Sequence, residues 1–272
     1  MAELHSSVSA GALGEIAEPS ARTGWSRYAV IIAVHVALIV LWQLAVDAFD
    51  IKPFILPSPL AMLRTLGQPN YAWASNTLVT AIEIFGGFAL AAVLGVILAL
   101  LFSWSRLLTL LLFPLFVTLN MIPKVALGPL IIVWLHYGVF SNILITFSLC
   151  LFPVLLTTAR GLREIEPDLL DLVRALKGSR WQIFTKIQLP GALPYIFSGM
   201  KVAAILAVAG AVVGEFIASD RGLGYLMIQV QSALDTAAMF MAVILLTGLG
   251  IGLYLIALTL EWIFVVRDAR VE

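Results

Sequence analysis

The sequence is short of charged residues. Asp, Glu, Lys and Arg together make up only 12% of its 272 residues, whereas 61% of the residues are hydrophobic. The mean hydropathy of +1.04 exceeds what a water-soluble domain can bury in a single core. The 16 basic and 16 acidic residues cancel, so the net charge indicates no class of partner. These shortages exclude an ordinary soluble protein and predict a chain that resides in a lipid bilayer.

Cysteine and histidine are scarce as well. The single cysteine, Cys150, lies within an apolar run, which excludes an intrachain disulfide, and we interpret it as a packing residue. The three histidines, His5, His35 and His136, are scattered, and no spacing typical of metal ligands occurs. We therefore expect no metal, no cofactor, no catalytic residues and no nucleic-acid partner.

Apolar runs long enough to cross a bilayer occur in six places. A spanning helix needs about 20 apolar residues, and the candidate spans are roughly 28–46, 80–102, 107–134, 140–159, 196–218 and 237–265. The third run is too long for one straight helix and contains Pro114, Pro123, Gly128 and Pro129, so we expect a kinked or broken helix there. The predicted fold class is an all-α integral membrane protein with six transmembrane helices.

The basic residues are unevenly distributed along the chain. If the N-terminus is cytoplasmic, 12 of the 16 basic residues fall on the inner side, as the positive-inside rule favours. We therefore expect a cytoplasmic tail over 1–27, a six-span domain over 28–266 with a cytoplasmic loop over 160–195, and a cytoplasmic tail over 267–272. Both termini then face the cytoplasm, and the stretch FILPSP at 54–59 lies in an external loop.

The long internal loop has the pattern of two short amphipathic helices. In EPDLLDLVRAL, residues 166–176, apolar side chains recur at helical spacing, and Pro167 is typical of a first turn. Gly178 permits a turn, and Ser179 is a candidate N-cap for a second helix that we expect to end at Pro190. On shape alone two interpretations stay open: the helices lie on anionic lipid, or they dock a protein.

This loop resembles the cytoplasmic signature of the membrane-spanning subunits of binding-protein-dependent ABC importers. The signature runs Glu-Ala-Ala, three residues, Gly, nine residues, Ile, one residue and Leu-Pro. Its end is matched in register by Ile187, Gln188, Leu189 and Pro190. Its start differs, with Asp171, Leu172 and Val173 in place of Glu-Ala-Ala, Lys177 at the glycine position and Gly178 one place later. The position of the turn is therefore open.

Three further stretches narrow the resemblance to the nitrate, sulfonate and taurine group of these permeases. They are LPSP after the first span, IPKVALGPLIIVW at 122–134 and GEFIASDRGLGYLM at 214–227. His136 and Tyr137 depart from the group's usual Phe-Gly. Several separated blocks in the right order are a stronger signal than one motif. The resemblance covers about residues 54–262 and implies the type I ABC importer permease architecture, in a bacterial inner membrane, with an alternating-access mechanism.

The resemblance also implies partners. A cytoplasmic ABC ATPase subunit would bind the loop, an extracytoplasmic solute-binding protein would deliver solute, and a second permease copy would complete the path within the lipid, with a homodimer expected and a heterodimer left open. The chain has no G-x-x-x-x-G-K-[ST] phosphate loop, so we expect it not to hydrolyse ATP or to act as an enzyme. The implied ATPase-coupling residues are Asp171, Leu172, Val173, Arg174, Ala175, Leu176, Gly178, Ser179, Ile187 and Pro190, with Trp181 and Phe184 anchoring the second helix to the spans.

Polar and ionisable side chains within the spans are candidates for the translocation path, because such groups are costly in a bilayer. They are Glu83, Asn120, Lys124 and Glu215. Each has a structural alternative. Lys124 can extend to the interface, Asn120 can bond a neighbouring helix, Glu215 can cap a helix or pair with Arg221, and Glu83 can pair with a basic residue of another helix.

Glu83 bears on the charge of the solute. Many anion-importing members of the resembling group have a basic residue shortly before the Gly-Phe of the second span, whereas Glu83 stands four residues before Gly87 here. A fixed negative charge in a path of low dielectric disfavours an anion. We therefore expect a nitrogenous heterocycle, such as a pyrimidine vitamin precursor or a flavin. A sulfonate, taurine or nitrate stays the alternative solute, and a secondary transporter or a membrane-embedded enzyme the alternative class.

Overall fold

The computed structural model describes residues 23–164 and 167–265. The expected tails, apart from residues 23–27, and Glu166 lie outside the described residues. Eleven α-helices occur in the described ranges: α1 (Thr23–Ala48), α2 (Pro59–Thr65), α3 (Trp73–Trp104), α4 (Arg106–Met121), α5 (Lys124–Leu135), α6 (Val139–Gly161), α7 (Pro167–Ala175), α8 (Arg180–Ile183), α9 (Leu189–Ala218), α10 (Leu223–Ser232) and α11 (Thr236–Phe264). This helical architecture agrees with the predicted fold class.

The chain forms two compact units, one up to Asp50 and one from Ile51 onwards. The first unit contains α1, whose side chains from Tyr28 to Leu41 are almost all exposed, as suits a helix surrounded by lipid or by partner protein. In the second unit, the predicted external stretch at 54–59 leads into α2, where Ser58 is the N-cap and accepts a hydrogen bond from the Ala61 N–H. α2 packs against α11.

Helices α3, α6 and α9 pack together as the core of the second unit. Their contact surfaces are rich in small residues, and a Cβ added at Gly87 would lie 2.5 Å from the Thr146 side chain and 2.9 Å from the Ile143 carbonyl oxygen. Small residues let helices approach closely in a membrane, where dispersion and hydrogen bonds hold them together. Cys150 is fully buried in this core and donates to the Ala203 carbonyl, which confirms its packing role.

Five helices in the described ranges are long and apolar enough to cross a membrane, namely α1, α3, α6, α9 and α11. The third predicted span is broken, as its prolines indicate. α4 ends at Met121, Ile122 is extended, and α5 begins at Lys124. The Lys124 ammonium group donates to the Leu119 carbonyl at 2.8 Å, and this carbonyl also accepts the Ile122 N–H at 3.3 Å. Counting α4 and α5 as one interrupted span, the six predicted spans are accounted for.

The loop helices differ from the prediction at Pro190. α8 continues through a π-helical turn over Phe184–Gln188 directly into α9, so the second helix does not end at Pro190. Pro190 instead lies at the start of α9, directly after the π-helical turn. For the same reason the fifth span begins at Leu189 rather than near residue 196. α3 likewise begins at Trp73 rather than near residue 80.

The turn between α7 and α8 is formed by Lys177 and Gly178. Lys177 itself adopts the left-handed conformation, with φ of 58°, so the turn falls at the signature's glycine position although the residue is a lysine. The Gly178 N–H donates to the Val173 carbonyl at 2.9 Å. A Cβ at Gly178 would lie 2.5 Å from the Val173 side chain, so this glycine is required for close approach. The Ser179 N-cap is confirmed, with a capping box to Gln182.

We predict that Gly87→Ala destabilises the contact between α3 and α6. The added methyl group would overlap Thr146 and the backbone of Ile143, and overpacking of this kind costs about 1–3 kcal/mol. The measurement is the temperature at which the purified, detergent-solubilised protein loses its monodisperse elution profile. Gly248→Ala in α11 is the control, because a Cβ there meets nothing within 4 Å. Equal melting of the two variants would contradict the prediction.

Candidate translocation and coupling site

Glu83 is a residue of α3, and its side chain contacts α6. Its side chain is fully buried, and the amide nitrogen of Asn142 donates to its Oε1 at 2.8 Å. Asn142 is also fully buried, and a Cβ at Gly214 of α9 would lie 2.8 Å from its Oδ1. The glycine therefore lets α9 cover the Glu83–Asn142 pair. This arrangement places an acidic group in the helix packing, away from any surface of the described chain.

Glu215 belongs to the same cluster. Its carboxyl group interacts with that of Glu83, its Oε1 accepts a hydrogen bond from the Thr80 hydroxyl at 2.5 Å, and its Oε2 accepts one from the Gly224 N–H at the start of α10. A carboxylate at a helix N-terminus is stabilised by the free N–H groups there. In the described part of the chain, no basic side chain pairs with Glu83 or Glu215. Arg221 instead lies 4.0 Å from Asp220.

The N-terminal end of α3 is bonded to the segment that precedes α10. The Gly222 N–H donates to Asn76 Oδ1 at 2.9 Å, and the Leu223 N–H donates to the Thr80 hydroxyl at 2.8 Å. Gly222 has φ of 111°, and a Cβ there would lie 2.1 Å from Glu215 Oε1, so the segment needs a glycine at this position. We call these residues, Asn76, Thr80, Glu83, Asn142, Glu215 and Gly222–Gly224, the polar cluster.

The other two path candidates lie at the break between α4 and α5. Asn120 is exposed, and Lys124 is half-buried. Met121 and Ile122, which flank the break, are exposed as well. Irregular backbone at membrane depth is tolerated only where it is covered by protein or lines a water-filled cavity. The four candidates therefore separate into two places: Glu83 and Glu215 meet in the polar cluster, and Asn120 and Lys124 lie at an exposed break.

The predicted coupling residues form an exposed helical segment. Asp171, Leu172, Ala175 and Leu176 are exposed, Val173 is half-buried against the turn, and the Arg174 side chain lies outside the described part. Ser179 is exposed, Gly178 and Ile187 are half-buried, and Pro190 is exposed in the first turn of α9. Exposed leucines on a short helix next to a membrane domain are typical of a surface that a partner or a lipid covers.

Two ion pairs flank this segment. The Arg160 guanidinium donates to the Glu164 carboxylate at 3.1 and 3.2 Å, and these hydrogen bonds lower the pKa of Glu164 at the start of the loop. Lys201 of α9 and Glu261 of α11 form a largely buried pair at 3.0 Å. That pair joins two spans, α9 and α11.

Of the eight residues of the polar cluster, only Glu83 and Glu215 were predicted from the sequence as candidate site residues. Asn76, Thr80 and Glu83 recur at spacings of four and three, which is the spacing of one helix face. Asn142 and Thr146 repeat that spacing on α6. These repeats were the sequence signal from which the other polar side chains of the cluster could have been predicted. The contribution of Gly222–Gly224 had no such signal, because it consists of backbone N–H groups that any residue but proline carries.

The fold and these sites define a multi-pass helical membrane protein with a buried polar cluster and an exposed loop segment. Residues 91–271 match the family model described as binding-protein-dependent transport system inner membrane component. The chain belongs to this family. It is therefore a permease of a binding-protein-dependent ABC importer in the inner membrane, and its family works with ABC ATPases and solute-binding proteins.

Several curated proteins are similar over most of the chain. A probable ABC transporter permease protein of Haemophilus influenzae is 34% identical, over 83% of this chain and 91% of that protein. A formylaminopyrimidine transport permease protein of Halalkalibacterium halodurans is 31% identical, over 79% and 86%. A riboflavin transport system permease protein of Chloroflexus aurantiacus is 34% identical, over 85% and 87%. Other relatives are named as sulfonate, bicarbonate and nitrate permeases.

We predict that Asn142→Asp destabilises the protein. Aspartate has the size of asparagine but lacks the N–H that Glu83 accepts, and it adds a third carboxyl group to the polar cluster. A buried acceptor left without its donor costs about 1–3 kcal/mol. The melting temperature in detergent should fall clearly, whereas the matched change Asn120→Asp, at an exposed position, should leave it nearly unchanged. Similar melting of both variants would mean that the Glu83–Asn142 hydrogen bond contributes little.

Proposed function

We propose that this permease imports a neutral or cationic nitrogenous heterocycle, with the exposed segment over Asp171–Ser179 as the surface that the ATPase grips. The observation that carries the solute class is the pairing of two buried acids, Glu83 and Glu215, without a basic partner in the described part of the chain. The alternative solute class is an anionic sulfonate or nitrate. The electrostatic potential near such an acid pair is unfavourable for an anion.

The electrostatic potential near the two acids is large enough to discriminate between solutes of different charge. Two ionised carboxylates about 4 Å apart repel each other by about 4 kcal/mol at an effective dielectric of 20. The pair is therefore most stable when it shares one proton and carries one negative charge. That charge repels an anion about 8 Å away by about 2 kcal/mol at the same effective dielectric of 20. Glu83 therefore need not touch the solute in order to discriminate against anions.

Two of the relatives support this solute class. The printed names of the proteins from Halalkalibacterium halodurans and Chloroflexus aurantiacus give formylaminopyrimidine and riboflavin as what those permeases transport. Both compounds contain nitrogen heterocycles. The relatives named for sulfonates and nitrate favour the alternative solute, and at 28% and 30% identity they are nearly as similar. Sequence identity alone therefore does not distinguish the two solute classes. The buried acid pair supports the nitrogenous heterocycle.

The proposal includes the arrangement in the membrane. Both termini and the segment over Asp171–Ser179 face the cytoplasm, because the basic residues then lie mostly inside. A second copy of the chain covers the exposed break between α4 and α5, so that Asn120 and Lys124 line a path between the two copies. This arrangement meets the requirement that irregular backbone at membrane depth be covered by protein or line an aqueous cavity.

Leu172→Glu should abolish ATP-driven uptake while the protein still inserts in the membrane. Leu172 is exposed on α7, and a carboxylate placed there would be buried without a partner when the ATPase grips the segment, at a cost of several kcal/mol. Uptake and solute-stimulated ATP hydrolysis are measured in proteoliposomes that contain the whole complex. Leu172→Met is the control and should retain both activities. Normal coupling in Leu172→Glu would remove this segment from the mechanism.

Changes at Glu83 test the solute class. The unaltered complex should import a pyrimidine or flavin and not taurine or nitrate. Because the pair carries one charge, a single Glu-to-Gln change leaves one carboxylate, whereas the double change Glu83→Gln with Glu215→Gln should weaken the discrimination against anions by about tenfold or more, which corresponds to about 1.4 kcal/mol. Competition between radiolabelled solutes measures this ratio. Glu83→Arg would pair a guanidinium with the Glu215 carboxylate, and this neutral pair should likewise weaken the discrimination against anions.

Glu261→Gln is the matched control for solute charge. It removes one acid from the same chain, but that acid already pairs with Lys201 at 3.0 Å, so its loss should not alter the preference among solutes. If the unaltered protein carries taurine or nitrate and ignores pyrimidines and flavins, the proposed solute class is wrong. Retention of full discrimination in the double variant Glu83→Gln with Glu215→Gln would show that the buried acid pair does not select the solute.

A further inference from the structure

The C-terminal end of α3 contacts the loop through three aromatic rings. The Trp104 ring lies 5.2 Å from that of Phe184 and 6.3 Å from that of Trp181, and the Trp181 and Phe184 rings are 5.8 Å apart. We call these three residues the aromatic triad. Edge-to-face and tilted rings at these distances attract each other beyond the area they bury. The last residue of a spanning helix is therefore held by the segment that follows α7.

The triad spans the boundary between buried and exposed surroundings. Phe184 is buried in a core cluster with Phe102 and Leu155, whereas Trp181 on α8 is 63% exposed. Beside the triad, a recess of about 740 Å³ is lined by residues that include Gly178, Arg180 and Gln188. The recess leaves α8 room to shift relative to α3. Of the two α3 residues that line the recess, Ser103 and Trp104, Trp104 is the one whose ring contacts the rings of Trp181 and Phe184.

α3 is suited to carry such a displacement. It is one continuous helix of 32 residues without an internal proline, whereas α4, α6 and α9 each contain one. Glu83 and Trp104 are separated along it by about 32 Å at 1.5 Å per residue. Its N-terminal end carries Asn76, Thr80 and Glu83, whose hydrogen bonds hold the start of α10 and the buried Asn142. A shift of α3 at one end therefore acts on the polar cluster at the other.

We propose that Trp104 is a positioning residue for transport: through it the loop segment moves α3, and α3 transmits this movement to the hydrogen bonds of the polar cluster. The inference rests on the proposed function, since it assumes that an ATPase displaces the loop. It assigns a role to a residue outside both the loop signature and the path candidates. The hydrogen bonds of the polar cluster then break or re-form as α8 moves.

The test uses the intact complex with its ATPase and solute-binding protein, and compares Trp104→Ala with Leu101→Ala. Leu101 is partly exposed near the same end of α3 and lies outside the triad. Trp104→Ala should reduce uptake about two- to tenfold, the range that the loss of an aromatic pair implies, while ATP hydrolysis continues. Trp104→Phe should restore uptake, and Leu101→Ala should leave it unchanged.

A second readout follows the far end of α3. Ser75→Cys places an exposed thiol there, and the native Cys150 is buried, so a maleimide reports Ser75→Cys alone. ATP should alter the labelling rate in the otherwise unaltered chain and in Leu101→Ala, but not in Trp104→Ala. A double-mutant cycle with Trp181→Ala should show strong coupling, because both changes remove the same contact.

The possible failures are distinguishable. If ATP does not alter labelling at Ser75→Cys, or if it still does so in Trp104→Ala, or if Trp104→Ala and Trp181→Ala are additive, the inference about Trp104 is wrong. Loss of ATP-driven uptake by Leu101→Ala to the same extent would also overturn it, since the triad would then have no special role. Absence of ATP-driven uptake in the unaltered complex would instead contradict the proposed function.

Discussion

The close approach of α3, α6 and α9 is the constraint on which the rest of the second unit depends. Glycines at positions 87, 210 and 214 bring neighbouring backbones and side chains to distances that a Cβ would not allow. Between helices in lipid, dispersion and interhelical hydrogen bonds supply the attraction that the hydrophobic effect supplies in water. Without this approach Asn142 could not reach Glu83, and the buried acids would lack the donors that make their burial tolerable.

The protein contains two kinds of site. One is a buried cluster of polar side chains, and the other is an exposed break in a helix. In the polar cluster, Glu83 Oε1 accepts a hydrogen bond from Asn142, and the Glu215 carboxyl group accepts hydrogen bonds from Thr80 and from the Gly224 N–H. At the break between α4 and α5, Lys124 donates to one carbonyl, and flanking residues are exposed. The first arrangement is closed within one chain. The second is complete only with something outside the described chain, which is why we propose a second copy there.

The loop joins these sites to the surface that an ATPase would grip. The π-helical turn over Phe184–Gln188 makes α8 and α9 continuous, so α8 is joined to a spanning helix with no loop between them. The aromatic triad adds a second connection, to α3. Both connections lie at the same end of the bundle. One displaced segment thereby acts on two of the three helices that form the core.

The amino-acid sequence by itself determined the membrane class, the six apolar spans with a broken third, the Ser179 cap and the family. These features are local or compositional: length of apolar run, proline position and capping chemistry act within a few residues. The tertiary structure alone decided that the helix continues from α8 past Pro190 into α9 and that Glu83 meets Glu215. Such outcomes depend on contacts between residues far apart in the chain, where packing overrides local preference.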